Sequence, residues 1–337
     1  EGRSCGPLFV QGLYEAQLKQ RLPPGKNALS HYLAQPDRER FLINPAKIVA
    51  KRLLDNLGSS LTLEPVNYTV GIVAFNQSRS EIENLIASCK ASMSTCGDVA
   101  AGTIILVDNS NLLSASDLPS DVDFLRSEGN VGFGRAHNRL MEVAFSAGSS
   151  CYIGANPDGA FHPDCITNLL RMNQRHKGRA LIEALQFPEE HPKFYHPESL
   201  ETAWCSGACF LISKPIFDAT KGFDPNIFLY CEDVDLSWQA LSHGFKTMTC
   251  PTALFYHDVS DREYSEFIRK EMLLAGRYLA KKWGSLDFLK HTEESLISEN
   301  FFEHLYDLPD LDDMPDLKTT PWFSNFERLF SFSSTRW

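Results

Sequence analysis

The sequence predicts an α/β protein with a mostly parallel central sheet flanked by helices. Apolar, β-branched runs alternate with stretches in which apolar residues recur at helical spacing. Two of the runs end abruptly in polar, turn-forming residues, as strands do where they leave a sheet. Because the order is strand, helix, strand, each helix can return the chain to the same end of the sheet, which is typical of parallel sheets.

The individual elements can be assigned in order along the chain. The predicted strands lie at 68–75, 103–107, near 124–125 and at 151–154, with an apolar run at 208–212 and a strand-like run at 253–256. The predicted helices lie at 80–91, at about 135–147, from 233 onward and at 261–284, where the helix carries a basic face. We expect a helical N-terminal extension at 1–66, an α/β domain at 67–260 and a helical C-terminal extension at 261–337.

The composition of the 337-residue chain is that of an ordinary globular protein and excludes several functions. With 43 acidic and 32 basic side chains, the formal charge of −11 argues against a broad nucleic-acid-binding surface. The nine cysteines lack paired C-x-x-C spacing and several lie in apolar runs, which indicates reduced thiols and a cytoplasmic protein. No stretch reaches the ~18 apolar residues of a transmembrane helix.

Residues at the ends of three predicted strands are the first candidates for a ligand site. They are Phe75-Asn76, Asp108-Asn109 and Asn156-Pro157-Asp158. Ligands of open parallel sheets bind beyond the carboxyl ends of the strands. Any one carboxylate at a strand end is more often a turn or helix-cap residue, but several such ends in one sheet favour a shared site.

The segment at 230–235, with the sequence YCEDVD, places three carboxylates in four positions. Carboxylates this close repel each other unless one is neutral or the site holds a cation, so the segment destabilises a protein that has no use for it. Two interpretations stay open at this point. The segment is either a functional acidic site or the solvated acidic start of a helix.

Seven short segments follow one another along the chain in an informative order. They are VGIVAFN, IILVDNS, GNVGFGRAHN, GANPD, WCSGACFLI, GFDPNIFLYCEDVDLSWQALSHGF and ALFYHDVS. In this order, over roughly residues 68–260, the chain resembles glycosyltransferase family 2, particularly its bacterial rhamnosyltransferase-like members. The resemblance implies a GT-A type of fold and an inverting transfer of a sugar from a nucleotide diphosphate to an acceptor hydroxyl.

The resemblance implies a nucleotide-sugar site built from these segments. Phe75, beside Asn76, corresponds to a ring that stacks on the nucleobase, a contact that contributes ~1–3 kcal/mol. Asp108 corresponds to an acidic residue that accepts a hydrogen bond from the pyrimidine N3–H, which favours UDP- or dTDP-linked donors. The other implied contacts are Asn130, Gly132, Asn138, Asn156, Trp204 and Gly207, with Ser206 beside them. Packing or turn formation is the alternative role for Phe75, Asp108 and Trp204.

A divalent-metal site is also implied. Asp158 matches the metal-binding aspartate of a DxD type of motif, in which a carboxylate holds Mg²⁺ or Mn²⁺ against the two phosphates. Asn156 stands where many relatives carry a second aspartate. His257 matches a histidine that completes the metal site in some members, although a lone histidine has a structural role as often.

The resemblance assigns catalysis to the acidic segment. Asp233 matches the general base, which takes the proton of the acceptor hydroxyl as the hydroxyl attacks, and Glu232 is the second candidate. A single displacement of this kind needs no covalent intermediate. The resemblance favours L-rhamnose from dTDP-rhamnose as the donor sugar, with a bacterial surface polysaccharide or its polyprenyl-linked precursor as the acceptor.

The sequence lacks the motifs of two other classes of nucleotide-binding enzyme. The first strand is followed by Asn76-Gln77-Ser78-Arg79 instead of the G-x-G-x-x-G turn of dinucleotide-dependent oxidoreductases. The chain also lacks the GxxxxGK[ST] loop of P-loop enzymes. The rival that stays open is a catalytically inactive transferase-fold module, which binds nucleotide sugar or glycan as an assembly partner.

Two features of the C-terminal extension suggest contact with another surface. Lys270, Arg277, Lys281 and Lys282 fall on or near one helix face, and an apolar stripe follows at Trp322, Phe323, Phe326, Leu329 and Phe330. A lipid-linked acceptor would bring the enzyme to a membrane, where basic residues contribute ~1 kcal/mol each beside anionic lipid. We therefore hypothesise peripheral association with the inner face of the cell membrane. The alternatives are that the stripe packs against the core or against a second subunit of a homo-oligomer.

Overall fold

The computed structural model describes residues 62–188, 190, 193, 195–196, 198–257, 265–311, 314, 321–324 and 326. Nearly all of the predicted N-terminal extension lies outside these residues. So do residues 258–264, which include the first positions of the helix predicted at 261–284, and Leu329 and Phe330 of the apolar stripe.

The described residues form a sheet and a set of helices that flank it. The strands are β1 (Val66–Ala74), β2 (Ala100–Asp108), β3 (Val122–Leu125), β4 (Cys151–Ala155), β5 (Ala160–Phe161), β6 (Ala180–Phe187), β7 (Cys209–Ser213) and β8 (Lys246–Tyr256). The helices are α1 (Arg79–Ser94), α2 (Phe133–Ser146), α3 (Cys165–Arg175), α4 (Lys214–Thr220), α5 (Glu232–Ser242), α6 (Glu266–Trp283) and α7 (Leu286–Ser298).

All described strands belong to one sheet, in the order β3-β2-β1-β4-β7-β6-β8-β5. The pairs β1–β2, β2–β3, β1–β4 and β6–β8 are parallel. Strand β7 runs antiparallel to both of its neighbours, and the short β5 runs antiparallel to β8. The predicted α/β class, with a mostly parallel sheet flanked by helices, is therefore confirmed.

The strand register brings the ends of β1, β2, β4, β6 and β8 and the start of β7 to the same edge of the sheet. Ala74 pairs with Asp108, so β1 and β2 end together, and β4 ends beside them at Ala155. Because β7 is antiparallel to β4, it begins at this edge, where Cys209 pairs with Ala155. Strands β6 and β8 end here as well. The loops that carry most of the predicted site residues thus meet at one edge, where open α/β sheets bind ligands.

The core forms because β1 and its neighbours are apolar on both faces. Val70 and Ile72 pack on the side of α1 and α3, while Val73 packs on the opposite side with α2 and α5. Side chains alternate across a strand, so a strand covered on both faces must be apolar at successive positions. The cysteines in the described part of the chain are all buried free thiols, which agrees with their positions in apolar runs.

Strand β6 was absent from the prediction. Its sequence, ALIEALQF, contains mainly residues that favour helices, and it includes a glutamate and a glutamine. The segment is nevertheless extended because it fits between β7 and β8, where tertiary contacts outweigh local propensity. Helices α3, α4 and α7 were also not assigned individually from the sequence.

The aromatic residues of the tail that the structure describes pack inward. The Phe326 ring is buried, with its centroid 5.0 Å from that of Trp238 and 5.2 Å from that of Phe288. Phe323 packs partly buried against Trp283, at 5.6 Å between centroids, whereas Trp322 is 88% exposed. Phe323 and Phe326 therefore pack against α5, α6 and α7. Of the alternatives for the apolar stripe, this is packing against the core.

The basic face of α6 is also used within the protein. Arg277 donates to Glu293 at 2.8 Å, and Lys270 Nζ lies 4.6 Å above the ring of Phe302. Lys282 is largely buried and pairs with two carboxylates. In the part of the chain that the structure describes, no helix is both long enough and apolar enough to cross a bilayer. Arg277, Lys270 and Lys282 thus have partners within the protein, and peripheral membrane association stays a prediction.

Candidate active site

The turn after β1 presents Phe75 at the sheet edge. Asn76 adopts a left-handed conformation with φ of 63°, and its N–H donates to Ser110 Oγ at 3.1 Å. Helix α1 then begins at a capping box, in which Ser78 Oγ accepts from the Glu81 N–H and the Glu81 carboxylate accepts from the Ser78 N–H. Phe75 is 46% exposed, so its side chain is accessible to a ligand at this edge.

Asp108 lies at the predicted place, but its carboxylate stabilises a turn. The side chain is buried, with 1% exposure. Oδ1 accepts from the N–H and Oγ of Ser110 at 2.9 and 2.5 Å, and Oδ2 accepts from the N–H groups of Leu112 and Leu113 at 2.7 and 2.8 Å. A carboxylate has about four acceptor sites, and these four bonds use them. The turn role therefore holds in this structure, and a contact with a nucleobase stays an untested prediction.

Asn130, Gly132 and Asn138 were predicted to bind the nucleotide sugar, and the structure gives them contacts within loops. Asn130 Oδ1 accepts from the Gly132 N–H at 3.1 Å. A Cβ on Gly132 would lie 2.5 Å from the carbonyl oxygen of Phe228, so only glycine permits this approach. The Asn138 amide donates to the carbonyl oxygen of Phe223 at 2.7 Å and accepts from its N–H at 2.8 Å. The start of α2 thus holds the segment 222–231, and direct contact of these residues with a ligand stays a prediction.

Asp158 and His257 come together although they are 99 positions apart. His257 Nε2 lies 3.3 Å from Asp158 Oδ1 and 3.2 Å from the amide nitrogen of Asn156. On its other side, His257 Nδ1 lies 3.0 Å from Gln186 Oε1, while Gln186 Nε2 donates to Ser206 Oγ at 2.9 Å. Because the Gln186 oxygen can only accept, His257 Nδ1 donates to it, and Nε2 faces Asp158 and Asn156.

The donor atoms of Asp158 and His257 fit a divalent cation whose remaining ligands come from a diphosphate. A carboxylate oxygen and an imidazole nitrogen converge from two loops. The hydrogen bond between His257 and Gln186 fixes the ring, as second-shell partners of metal-bound histidines do. Within the described residues, no group of three or more His, Cys, Asp and Glu side chains could hold a metal ion. A bound diphosphate would supply oxygen ligands of the kind that Mg²⁺ commonly takes.

Trp204 does not line the site, which corrects the prediction for this residue. Its side chain is 4% exposed and packs with Ile227, Val234 and Leu279 in the core beneath α6. The Lys193 ammonium lies 4.7 Å from the centroid of its ring. The ring thus anchors the segment that follows it, while Ser206 and Gly207 reach the sheet edge.

A buried ion pair holds the segment 204–207 in place. Lys193 Nζ donates to Glu183 Oε1 at 2.5 Å and to the carbonyl oxygen of Trp204. Glu183 Oε2 accepts from the Ser206 N–H at 2.6 Å. Both charged side chains are at most 6% exposed. Sequence analysis missed this pair, and the available signal was Glu183 itself, because a charge in the middle of an apolar run is buried only when it is paired.

The three carboxylates of the acidic segment have three different surroundings. Asp233 is partly exposed, and its Oδ2 accepts from the Gly207 N–H at 2.9 Å. Glu232 is buried, and its Oε2 has no hydrogen-bond partner among the described residues. Asp235 is fully buried and accepts from Trp283 Nε1 at 2.9 Å and from Lys282 Nζ at 2.8 Å. The segment is therefore a built site and not a solvated helix start.

Burial sets the protonation of Glu232. Loss of solvation and the nearby negative charge of Asp233 raise the pKa of Glu232 to about 8, so the side chain is mostly neutral at pH 7. Burial also raises the pKa of Asp235, against the opposing effect of Lys282. A neutral, enclosed Glu232 is a poor acceptor for the proton of a substrate. Asp233, which reaches the sheet edge, is the better base.

The backbone before α5 is strained. Tyr230 and Cys231 are both left-handed, with φ of 68° and 63°. Two such residues in succession are unusual outside glycine, cost on the order of 1–2 kcal/mol each, and cluster at functional sites. This turn directs the first residues of α5, including Asp233, toward Gly207.

A comparison with known families identifies the family of the chain. Residues 66–273 match the family described as Glycosyltransferase like family 2. The match covers more than half of the chain, and the chain therefore belongs to this family.

Two bacterial relatives are informative. The N-acetylglucosaminyl-diphospho-decaprenol L-rhamnosyltransferase of Mycobacterium tuberculosis is 28% identical, over 46% of this chain and 66% of its own length. The rhamnosyltransferase WbbL of Escherichia coli K12 is 33% identical, over 23% of this chain and 31% of its own length. The chain therefore spans less than two thirds of each of these relatives.

Solved structures show weaker similarity. GalNAc-T7 with UDP, GalNAc and Mn²⁺ has a TM-score of 0.49 at 12% identity, covering 73% of this chain and 58% of that protein. TarS 1-349 of S. aureus in complex with UDP has a TM-score of 0.44 at 11% identity, covering 73% and 76%. These two similarities identify no site residue.

We predict that Glu232→Gln stabilises the protein more at pH 8 than at pH 5. An unfolded glutamate ionises near its ordinary value of 4.5, whereas folded Glu232 keeps its proton until about pH 8, so wild-type stability falls between these values. The glutamine side chain of the variant does not ionise in this pH range. Urea unfolding should show that the advantage of the variant grows by roughly 2 kcal/mol or more from pH 5 to pH 8.

The matched control is Glu294→Gln, because the Glu294 side chain is 66% exposed. Its effect on the free energy of unfolding should be the same at both pH values. An equally flat result for Glu232→Gln would show that Glu232 ionises normally in the folded protein.

Proposed function

We propose that this protein is an inverting glycosyltransferase that moves a sugar from a nucleotide diphosphate to the hydroxyl group of a glycan acceptor. The observation that carries the proposal is a continuous set of polar contacts along the sheet edge. Asp233 is bonded to Gly207, the adjacent Ser206 is bonded to Gln186, and Gln186 is bonded to His257 beside Asp158. A base and a diphosphate-binding pair are thereby held in one framework.

The chemistry is a single displacement. The acceptor oxygen forms a bond to the anomeric carbon as the bond from that carbon to the diphosphate oxygen breaks, and the bonding electrons leave with the diphosphate. The acceptor proton passes to the carboxylate of Asp233. The Gly207 N–H fixes the orientation of this carboxylate through Oδ2, and the Val234 N–H donates to Oδ1 at 2.8 Å. No covalent intermediate on the protein is required.

Asp158 and His257 would hold Mg²⁺ or Mn²⁺ together with the diphosphate. When bound, the cation neutralises the negative charge that develops on the leaving group. Gln186 contributes by fixing the His257 ring, and Asn156 contributes an amide beside the same nitrogen. Phe75 would stack on the base of a uridine or thymidine nucleotide at the other end of the edge.

The names of both relatives support rhamnose as the donor sugar, and that of the M. tuberculosis enzyme specifies L-rhamnose. The resemblance to bacterial rhamnosyltransferases favours dTDP-rhamnose as the donor and a bacterial surface polysaccharide as the final product. The name of the M. tuberculosis enzyme also supports a lipid-linked glycan as the acceptor. Because sugar choice depends on single hydroxyl contacts in the pocket, a screen of donor hydrolysis across nucleotide sugars is the direct way to identify the donor.

We predict that Asp233→Asn lowers turnover by at least ~100-fold, the usual scale for loss of a general base. The amide accepts a hydrogen bond from Gly207 as the carboxylate does but cannot take a proton. Donor binding, measured by calorimetry, should be nearly unchanged. Asp218→Asn is the control, because Asp218 forms an exposed pair with Lys214. Turnover of Asp233→Asn within a few-fold of wild type would remove Asp233 from the mechanism.

We predict that EDTA abolishes transfer and that Mg²⁺ or Mn²⁺ restores it. Without a cation, the diphosphate would face the negative charge of Asp158. Calorimetry should also show that Mn²⁺ binds more tightly when UDP or dTDP is present, since the protein supplies few ligands. His257→Ala should raise the Mn²⁺ concentration needed for half-maximal activity. Full activity in chelator would contradict the metal assignment.

A further inference from the structure

Lys282 connects the C-terminal helix α6 to both ends of the segment that presents Asp233. Its Nζ lies 2.6 Å from Asp224 Oδ2 and 2.8 Å from Asp235 Oδ1. The lysine side chain is 23% exposed, while those of Asp224 and Asp235 are 10% and 0% exposed. Contacts this enclosed are weakly screened by solvent, in contrast to pairs on the surface.

Two further side chains of α6 strengthen this connection. Tyr278 donates its hydroxyl to Asp224 Oδ2 at 3.0 Å. The indole N–H of Trp283 donates to Asp235 Oδ1 at 2.9 Å. Helix α6 therefore holds the beginning and the end of the segment 224–235 through several hydrogen bonds.

The segment between these two carboxylates contains the strained turn. Tyr230 and Cys231 are both left-handed, and Asp233 follows two positions later. Strained backbone of this kind persists only where its surroundings hold it in place. The Asn138 amide holds Phe223, which directly precedes the segment, and Lys282 holds both ends of the segment itself.

We propose that Lys282 is a positioning residue for catalysis, which fixes Asp233 against Gly207 by binding Asp224 and Asp235 at the same time. This inference rests on the proposed function, in which Asp233 is the base. The family match ends at residue 273, whereas Lys282 and Trp283 lie beyond it. The position of the base thus depends on a part of the chain outside the matched family region.

The test compares Lys282→Met with Lys282→Arg in a transfer assay on the full chain. Methionine keeps the approximate length of the side chain but removes the charge. We expect kcat to fall by at least ~10-fold, since a displacement of about 1 Å in an active site can reduce the rate by ~100-fold. The KM for the donor should change by less than about 2-fold, because the donor residues lie at the other strand ends. Lys282→Arg should restore most of kcat.

The control is Arg277→Met on the same helix. Arg277 pairs with Glu293 of α7 at 2.8 Å and is similarly enclosed, so its loss should lower the thermal unfolding temperature and leave kcat unchanged. A second variant, Lys282→Met/Asp235→Asn, removes the buried carboxylate that Lys282→Met leaves without its cation. It should fold more stably than Lys282→Met but keep the low kcat, since Asp224 still lacks its ion pair with Lys282.

The two proposals fail in different ways. Normal turnover in Asp233→Asn would overturn the proposed function. If turnover is lost in Asp233→Asn but folded Lys282→Met keeps a kcat near that of the wild type, only the positioning role is overturned. Parallel losses in kcat and stability for Arg277→Met and Lys282→Met, or failure of both Lys282 variants to fold, would also overturn it by making Lys282 a structural residue.

Discussion

The ion pair between Lys282 and Asp235 is the interaction on which the acidic start of α5 depends. Three carboxylates in four positions repel one another when they are buried, and in this structure a different environment reduces the repulsion for each of them. Asp235 is paired with a cation, Glu232 keeps its proton, and Asp233 reaches the sheet edge as the group available for chemistry. Without the Lys282 ammonium, Asp235 would repel the neighbouring carboxylates. The repulsion would then act on the residues that position Asp233, the proposed base. In the proposed mechanism, the C-terminal extension is therefore part of the catalytic arrangement as well as part of the core.

The sheet provides the second constraint. Parallel strands end at one edge, and the antiparallel β7 begins there, so Ser206 and Gly207 enter the same edge from the opposite direction. This arrangement brings Gln186 from β6 and His257 from the end of β8 into line with them. Residues far apart in the sequence become one connected polar framework. The buried Lys193–Glu183 pair supports it from below by fixing the Ser206 N–H.

Part of the fold and of the candidate site could be predicted from local patterns in the sequence. The apolar runs of β1, β2 and β4 and the acidic segment before α5 are visible in short windows, because neighbouring residues determine them. The other features depend on distant contacts. Glu183 lies in a strand that its own residues do not favour, Asp108 has its oxygens occupied by the loop that follows, and Trp204 is covered by α6. Lys282 appeared to be one of several basic residues on a helix face, and only the fold reveals its two carboxylate partners.

A single base at Asp233 that acts in one displacement requires inversion at the anomeric carbon. The anomeric configuration of the product, determined by NMR after transfer from a donor of known configuration, tests this requirement. We expect every transferred sugar to have the opposite configuration to the donor, because the acceptor attacks from the face opposite the diphosphate. A product with retained configuration would contradict the proposed mechanism, since it would require a second displacement or attack from the same face as the diphosphate, and a different role for Asp233.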